Sequence, residues 1–198
     1  MKAQSTLGLE VNNSKCEILL FGNNKQSKEA LLSNFSRTCP GIRQLDPSEA
    51  KLLGSPLTIE ATDAIFQNKL EELSSLKENL KKIDSHDGFF LLKHCLAIPR
   101  LNYLLRCTPS SFCSVLDDYD SVIRDSLEVI LNVRLNDRSW DQASLPVSLG
   151  GLGIRRALDV SLAAFLVSSS GTAPLSAAIL SRCLPTLVPD PDRELAVL

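Results

Sequence analysis

The strongest structural signal in this chain is a helical periodicity that begins after Thr58. Apolar residues then recur at steps of three and four, which places them on one face of a helix with charged residues opposite. The pattern predicts an amphipathic helix over residues 63–83, and such a stripe must be buried against other elements. The apolar residues of the stripe are Phe66, Leu70, Leu73, Leu76, Leu80 and Ile83.

Two more helices are predicted by the same periodicity. Asp87 is placed to cap a helix over residues 89–106. Pro99 is expected to kink this helix, because proline lacks an amide proton and clashes with the preceding turn. Thr108 and Pro109 then restart the chain into a third helix. Its apolar face is predicted to hold Phe112, Val115, Leu116, Tyr119, Val122, Ile123, Leu127, Ile130 and Leu131.

The last third of the chain begins with a short turn around Trp140 and a glycine-rich link over residues 145–153. A final helical region follows from about Arg155. Residues 160–181 carry no charge and are long enough in principle to span a bilayer. Serine, threonine, glycine and proline interrupt this stretch, so the pattern favours two short helices joined by a turn at residues 169–172. We therefore expect no membrane span.

The part before Thr58 has short, mixed segments. Residues 7–22 contain alternating and apolar runs, which predict two strands or one bent strand. Ser27 is a candidate cap for a helix that ends near residue 35, and Asp46-Pro47 is a start signal for a short helix. Residues 52–57 are typical of an edge strand or a tight hairpin.

Together these segments predict an α+β fold that is predominantly α, with a small sheet followed by a helical bundle. The expected organisation is one unit of strands and short helices over residues 1–58 and a helical region over residues 59–188. Residues 189–198, which contain two prolines, are expected to be a frayed tail.

Composition narrows the class of protein. The chain has 21 basic and 23 acidic side chains and a net charge of −2, so no bulk positive field indicates a nucleic-acid partner. Its six cysteines have no CxxC spacing, and no apolar leader precedes the first charged residues. We therefore expect reduced thiols in an intracellular protein, cytoplasmic or nuclear and not secreted.

Few residues could form a catalytic centre. The chain has two histidines, His86 and His94, and His94 and its neighbour Cys95 would point about 100° apart on a helix, so they form no nucleophile–base pair. No histidine or cysteine cluster has metal-ligand spacing. The glycine-rich link lacks the Lys-Ser/Thr pair of a phosphate-binding P-loop. Asp117 and Asp118, with Asp120 nearby, lie within a helical pattern, which favours a solvated acidic face. No metal site is predicted.

Three segments, taken in order, resemble one protein family. Residues 8–17 (GLEVNNSKCE) look like the motif that follows the catalytic Asp-Asp hairpin in reverse transcriptases of non-LTR, LINE-type retrotransposons. Residues 52–57 (LLGSPL) are similar to the next motif, the strand of the primer grip. The helical part with LP at residues 145–146 and GGLG at residues 150–153 resembles the thumb and post-thumb region. The resemblance covers about residues 7–170.

The resemblance implies a partial palm sheet followed by a thumb-like helical bundle, in a family of RNA-directed DNA polymerases that use Mg²⁺. The metal-binding aspartates of the family would stand before residue 7. Because phosphoryl transfer depends on charge stabilisation by the metal ions, we expect this chain to be catalytically incomplete, to hold no cofactor and to be no enzyme by itself. Weak, salt-sensitive binding to an RNA–DNA duplex is then the expected activity.

Four residues match motif positions of the family. Lys15 matches a lysine that in the family lies near the incoming nucleotide, whereas on the residues alone it is equally well a lysine that faces solvent. Leu53, Gly54 and Ser55 match the primer-grip strand, in which a glycine permits close approach of the backbone to nucleic acid. The resemblance makes these residues candidate contacts for a primer–template.

The thumb-like region has local positive charge. Residues 89–116 contain Lys93, Arg100 and Arg106 and no acidic residue. Lys93 and Arg100 are seven residues apart, which places them on one helix face, where a thumb would meet phosphates and Tyr103 could stack. The alternative interpretation is an ordinary helix whose cations extend into solvent.

Arg155 and Arg156 form a second candidate site for an anionic partner. They lie at the start of the predicted last helix, where positive charge is unfavourable for the helix dipole.

A different function is also compatible with the sequence. Phe66, Leu73 and Leu80 form a heptad-like series that could dock a partner helix. The chain would then be a helical protein-interaction module with an exposed apolar surface and no role with nucleic acid. Core packing explains the same series equally well.

Overall fold

The computed structural model describes residue 12, residues 15–20 and residues 24–183. The chain divides into two compact units, of which one ends at Ala61 and the other begins at Thr62. Most of the described residues are helical and the strands are short, which confirms the predicted α+β, predominantly α fold class. The strand predicted at the beginning of residues 7–22 and the tail over residues 189–198 lie outside the described residues.

The first unit contains one long helix and two small pairs of strands. Its elements are β1 (Glu17–Ile18), α1 (Lys25–Thr38), β2 (Arg43–Gln44), a 3₁₀ turn (Pro47–Glu49), β3 (Lys51–Leu52) and β4 (Ser55–Pro56). β1 and β2 are parallel. The cap of α1 is Asn24 and not the predicted Ser27, because the Asn24 side chain accepts a hydrogen bond from the Ser27 amide at 3.2 Å. Asp46 caps the 3₁₀ turn as expected.

β3 and β4 form the tight hairpin that the sequence predicts, with Leu52 opposite Ser55. Leu53 and Gly54 connect the strands, and both have positive φ angles, 51° and 84°. Two consecutive positive φ angles are typical of a type I′ turn, which matches the twist of a two-stranded hairpin. Glycine adopts this conformation freely and leucine does not, so the conformation is unfavourable at Leu53, whose side chain is 89% exposed.

From Ile59 onward the described chain is helical. Its elements are α2 (Ile59–Leu80), α3 (Ser85–Leu91), a π turn (Leu92–Leu96), α4 (Ile98–Cys107), α5 (Val115–Leu131), α6 (Asp137–Ser144), a 3₁₀ turn (Val147–Leu149) and α7 (Ala157–Cys183). α3 is capped by Asp84 and not by the predicted Asp87, since Asp84 accepts from the His86 amide at 2.9 Å. Trp140 lies in α6, where the sequence analysis expected only a turn.

The helix predicted over residues 89–106 is interrupted before Pro99. The π turn is closed by a hydrogen bond from the Ala97 amide to the Leu92 carbonyl at 2.9 Å. The backbone leaves helical geometry at Ala97, where ψ is −122°, and Pro99 falls in the first turn of α4. Proline is tolerated there because first-turn amides have no acceptor within the helix. Pro99 therefore starts a helix and does not kink one.

The apolar stripes of α2, α4 and α5 meet in one core. Phe66, Leu73 and Leu80 belong to it, with exposed fractions of 1%, 0% and 5%. The hypothesis that this series docks a partner helix is therefore wrong, because the core of the second unit already covers it. Most of the predicted face of α5 is buried or half-buried, but Leu131 is 39% exposed, and Phe112 lies before the helix and is exposed.

α7 is one continuous helix of 27 residues, where the sequence favoured two short helices. The hydroxyl groups of Ser161, Thr172 and Ser181 bond to carbonyls about one turn earlier, as Thr172 Oγ1 does to the Ser168 oxygen at 3.0 Å, so these polar residues need no break in the helix. By length and composition the segment Ala157–Ser181 could cross a membrane, alone among the described helices. Core helices of soluble proteins pass the same test, but those are mostly buried, and the apolar window of this helix is not.

Candidate nucleic-acid interface

The glycine-rich link is a tight connection packed against the end of α6. The Leu152 amide donates to the Ala143 carbonyl at 3.1 Å, and the Gly153 amide donates to the Leu145 carbonyl at 2.9 Å. A Cβ atom at Gly151 would lie 2.0 Å from the Leu145 carbonyl oxygen, so only glycine permits this approach. The link holds Leu152 and Gly153 in fixed positions.

Lys93, in the π turn, reaches this link. Its Nζ atom donates to the Leu152 carbonyl oxygen at 2.9 Å and lies 5.7 Å from the centre of the Phe89 ring. A Cβ atom at Gly153, where φ is 73°, would lie 3.0 Å from this Nζ. Because an ammonium group has three N–H donors, one anchors Lys93 to the link and others remain for a ligand.

A cleft of about 450 Å³ opens beside this contact. It brings together Lys93 and Arg155, two predicted cations that are far apart in the sequence. His94 and Asn102 also line it, and the sequence analysis did not predict either as a site residue. The lining contains no carboxylate and consists of Lys93, His94, Ala97, Ile98, Pro99, Asn102, Gly153, Ile154 and Arg155.

The chemistry of this lining suits an oxygen-rich anion. Arg155 is exposed and forms no ion pair with any described residue, so its guanidinium is available to a ligand. Lys93 adds a second positive charge, and the Asn102 amide adds hydrogen-bond donors. Phosphate groups are bound in proteins by donors of these kinds.

The directions of Lys93 and His94 depend on an irregular backbone that the sequence pattern does not predict. In a regular helix Lys93 and His94 would point about 100° apart. The π turn contains an additional residue per turn and changes side-chain directions, and such turns occur frequently at functional sites. The His94 ring packs 4.7 Å from the centre of the Phe90 ring. No pattern in the sequence indicates a π turn here.

Arg100 was predicted to contact phosphates together with Lys93, but it does not line the cleft. Its guanidinium binds the Glu72 carboxylate of α2 at 2.6 Å, and Glu72 also binds Lys69 at 2.9 Å. Hydrogen bonds from Lys69 and Arg100 lower the pKa of Glu72 below its usual range. The break at Ala97 separates Arg100 from Lys93, so their spacing of seven residues does not define one helix face.

Arg155 and Arg156 differ although they are neighbours. Arg156 forms an ion pair with Asp141 of α6, and its guanidinium lies 5.6 Å from the centre of the Trp140 ring. These contacts assign Arg156 to the packing between the link and α6. Of the predicted pair, only Arg155 lines the cleft.

Tyr103 and Arg106 lie outside the cleft, on exposed positions of α4. Half of the Tyr103 surface is exposed. Arg106 forms no ion pair within the described part of the chain.

The first unit holds Lys15, Leu53, Gly54 and Ser55, the candidate contacts that the sequence resemblance implies. Lys15 is exposed, next to a turn in which its amide donates to the Asn12 carbonyl at 3.0 Å. Leu53 and Gly54 form the tip of the hairpin, and Ser55 begins β4 and is half-buried. The glycine serves the positive-φ turn, which is a structural reason for its presence independent of nucleic acid.

Asp120 corrects the prediction of a solvated acidic face. Asp117 and Asp118 are exposed, but Asp120 is buried and caps α7 by accepting hydrogen bonds from the amides of Ala157 at 2.6 Å and Leu158 at 3.1 Å. Burial raises the pKa of Asp120 to about 6, although both hydrogen bonds oppose the shift. Because Asp120 occupies these amides, the cleft and not the helix end is the candidate anion site.

No family model, curated protein or solved structure matches this chain. Within the described residues, no group of three or more histidine, cysteine, aspartate or glutamate side chains could hold a metal ion. The candidate site therefore rests on the residues of the cleft and their geometry.

Proposed function

We propose that this chain is part of a reverse-transcriptase-like protein and that its helical unit binds the phosphate backbone of a primer–template duplex through the cleft. The observation that carries the proposal is the convergence of Lys93 and Arg155 on one cleft without a carboxylate. The order of the motifs at residues 8–17, 52–57 and 145–153 supports the family, and the hairpin at Leu53-Gly54 is compatible with a primer-grip strand. The role is binding and not nucleotide addition.

The proposed contact predicts modest affinity. Each phosphate neutralised by a lysine or arginine releases counterions, so affinity falls steeply as salt rises. Two cations, with an amide beside them, give few such contacts. We therefore expect weak binding to an RNA–DNA duplex that is lost above about 200 mM salt.

Fluorescence anisotropy of a labelled RNA–DNA duplex tests the proposal across a salt series. Arg155→Gln should weaken binding at low salt several-fold and flatten the salt dependence, because one phosphate contact is removed. Arg138→Gln is the matched control: Arg138 is an exposed arginine of α6 that does not line the cleft. It makes the same change in charge, so equal effects of the two variants would count against the cleft.

A second function is favoured by α7. Beyond Ser161 this helix exposes Leu162, Val167, Leu175 and Ile179, with exposed fractions between 44% and 74%. Exposed apolar surface of this kind is typical of protein-interaction sites. If a folded chain binds no duplex at low salt, and changes of Val167 and Leu175 to serine reduce its association with protein partners, the chain is an interaction module.

A further inference from the structure

Two cysteines lie side by side in the first unit. Cys16 immediately precedes β1, and Cys39 follows the last residue of α1. The pairing of β1 with β2 brings them together: the Cys16 carbonyl accepts from the Arg43 amide at 3.1 Å, and the Cys39 carbonyl accepts from the Ile42 amide at 3.3 Å. Their separation in the sequence gives no motif, so the sequence did not predict this pair.

The two thiols are close enough for Cys39 to act on the pKa of Cys16. The Cys16 Sγ atom donates to the Asn12 carbonyl at 3.4 Å, and the Cys39 amide donates to the Phe35 carbonyl at 2.7 Å, so both cysteines are held in place. Both side chains are half-buried and therefore within reach of small molecules. Burial, and then the neighbouring Cys39 thiol, raise the pKa of Cys16.

We propose that Cys16 and Cys39 form a thiol-oxidation site, at which a low-molecular-weight disulfide converts the pair into an intramolecular disulfide. One cysteine, as its thiolate, attacks a sulfur of the small disulfide and displaces one small thiolate, which leaves a mixed disulfide. The second cysteine attacks the protein sulfur of that mixed disulfide and displaces the other small thiolate. The protein loses two electrons and two protons, and the small disulfide becomes two thiols.

The neighbouring thiol is what distinguishes this site from Cys95, Cys107 and Cys113, the other cysteines whose side chains the structure describes. Cys95 and Cys107 are exposed, and Cys113 is buried with its Sγ bonded to the Asp63 carboxylate at 3.4 Å. An exposed cysteine without a resolving thiol stops at the mixed disulfide. At the proposed site the second step is intramolecular, and the product ties β1 to the end of α1.

The test uses the full chain equilibrated in mixtures of reduced and oxidised glutathione, trapped with N-ethylmaleimide and mapped by peptide mass. Labelling of Cys16 and Cys39 should fall together as the mixture becomes more oxidising, and a crosslinked peptide that contains both should replace them. The crosslinked species should be two hydrogens lighter than the reduced pair and should carry no glutathione.

Single variants keep the result interpretable. Cys39→Ser should leave Cys16 without a crosslink, and Cys16→Ser should do the same for Cys39, whereas Cys107→Ser should form the crosslink at the wild-type ratio of glutathiones. The wild-type chain carries the decisive result even if a serine variant folds poorly. Glutathione adducts on Cys16 or Cys39, or full labelling of both when Cys95 is already oxidised, would overturn the proposal.

Discussion

The two units of this chain use their apolar residues in opposite ways. In the second unit Leu73, Leu101 and Ile123 are fully buried, and each belongs to a stripe with helical periodicity. In the first unit α1 buries none of its residues, and Leu31 and Phe35 are 46% and 45% exposed. A sustained period of 3.6 residues thus produces a core, whereas short segments of mixed character bury little of their apolar surface.

The largest expected difference between the units is in core substitutions. Leu73→Ala should lower the free energy of unfolding by about 2–5 kcal/mol, because it leaves a cavity in a fully buried position. Leu31→Ala in α1 makes the same chemical change at an exposed position and should alter the free energy of unfolding by less than about 0.5 kcal/mol. Urea unfolding monitored by circular dichroism measures both. Similar losses for the two variants would mean that α1 is packed against something that its exposure does not reveal.

The next effect concerns the buried carboxyl group that joins α5 to α7. The pKa of Asp120 is about 6 in the folded chain and near 3.8 when unfolded, so the folded chain takes up a proton first as pH falls. The contribution of Asp120 to the free energy of unfolding is therefore fully present below the unfolded pKa. It is lost as pH rises through about 6, a change of up to about 3 kcal/mol.

Asp120→Asn isolates this contribution from those of other carboxyl groups. The difference in unfolding free energy between wild type and this variant should change with pH between about 4 and 6, in favour of the wild type at the acidic end. Asp118→Asn, at an exposed position of the same helix, is the control. Parallel pH profiles for wild type and Asp120→Asn would show that Asp120 is not perturbed.

A smaller pair of effects comes from two glycines of the second unit. Gly153→Ala should lower the free energy of unfolding by about 1–2 kcal/mol, because φ is 73° at this position and the new Cβ would approach Lys93 Nζ to 3.0 Å. Gly171→Ala, in α7 with open space around its Cβ, should stabilise the chain by about 0.5–1 kcal/mol. Thermal unfolding compares the two. A gain at Gly153 would mean that the link is not fixed in this conformation.

Much of the helical fold followed from the sequence because periodicity is a local signal. The burial of Phe66 and Leu73 in α2 and of Ile123 in α5 is what their spacing predicts. The cap of α3 was harder to predict, because Asp84 and Asp87 both have side chains that can cap a helix. In the structure Asp84 accepts the hydrogen bond from the His86 amide. The continuity of α7 was missed because serine and threonine favour turns in general and yet bond within a helix here.

The candidate site was predictable only in part, because its members depend on partners distant in sequence. Lys93 and Arg155 were predicted as candidate contacts for an anionic partner. That they line the same cleft depends on the π turn and the folded link. Arg100 and Arg156 have the same side chain as Arg155 and were predicted with it. Arg100 and Arg156 instead form ion pairs with carboxylates of α2 and α6. No local sequence pattern predicts such ion pairs.

The most direct test of the cleft is the slope of log affinity against log salt for an RNA–DNA duplex, measured for wild type and for Lys93→Gln combined with Arg155→Gln. The double variant should lower the magnitude of the slope by roughly 1.5–2, since two phosphate contacts are lost, while urea unfolding reports that it remains folded. A slope equal to that of wild type, in a folded double variant that still binds, would contradict the proposal that phosphates bind in this cleft.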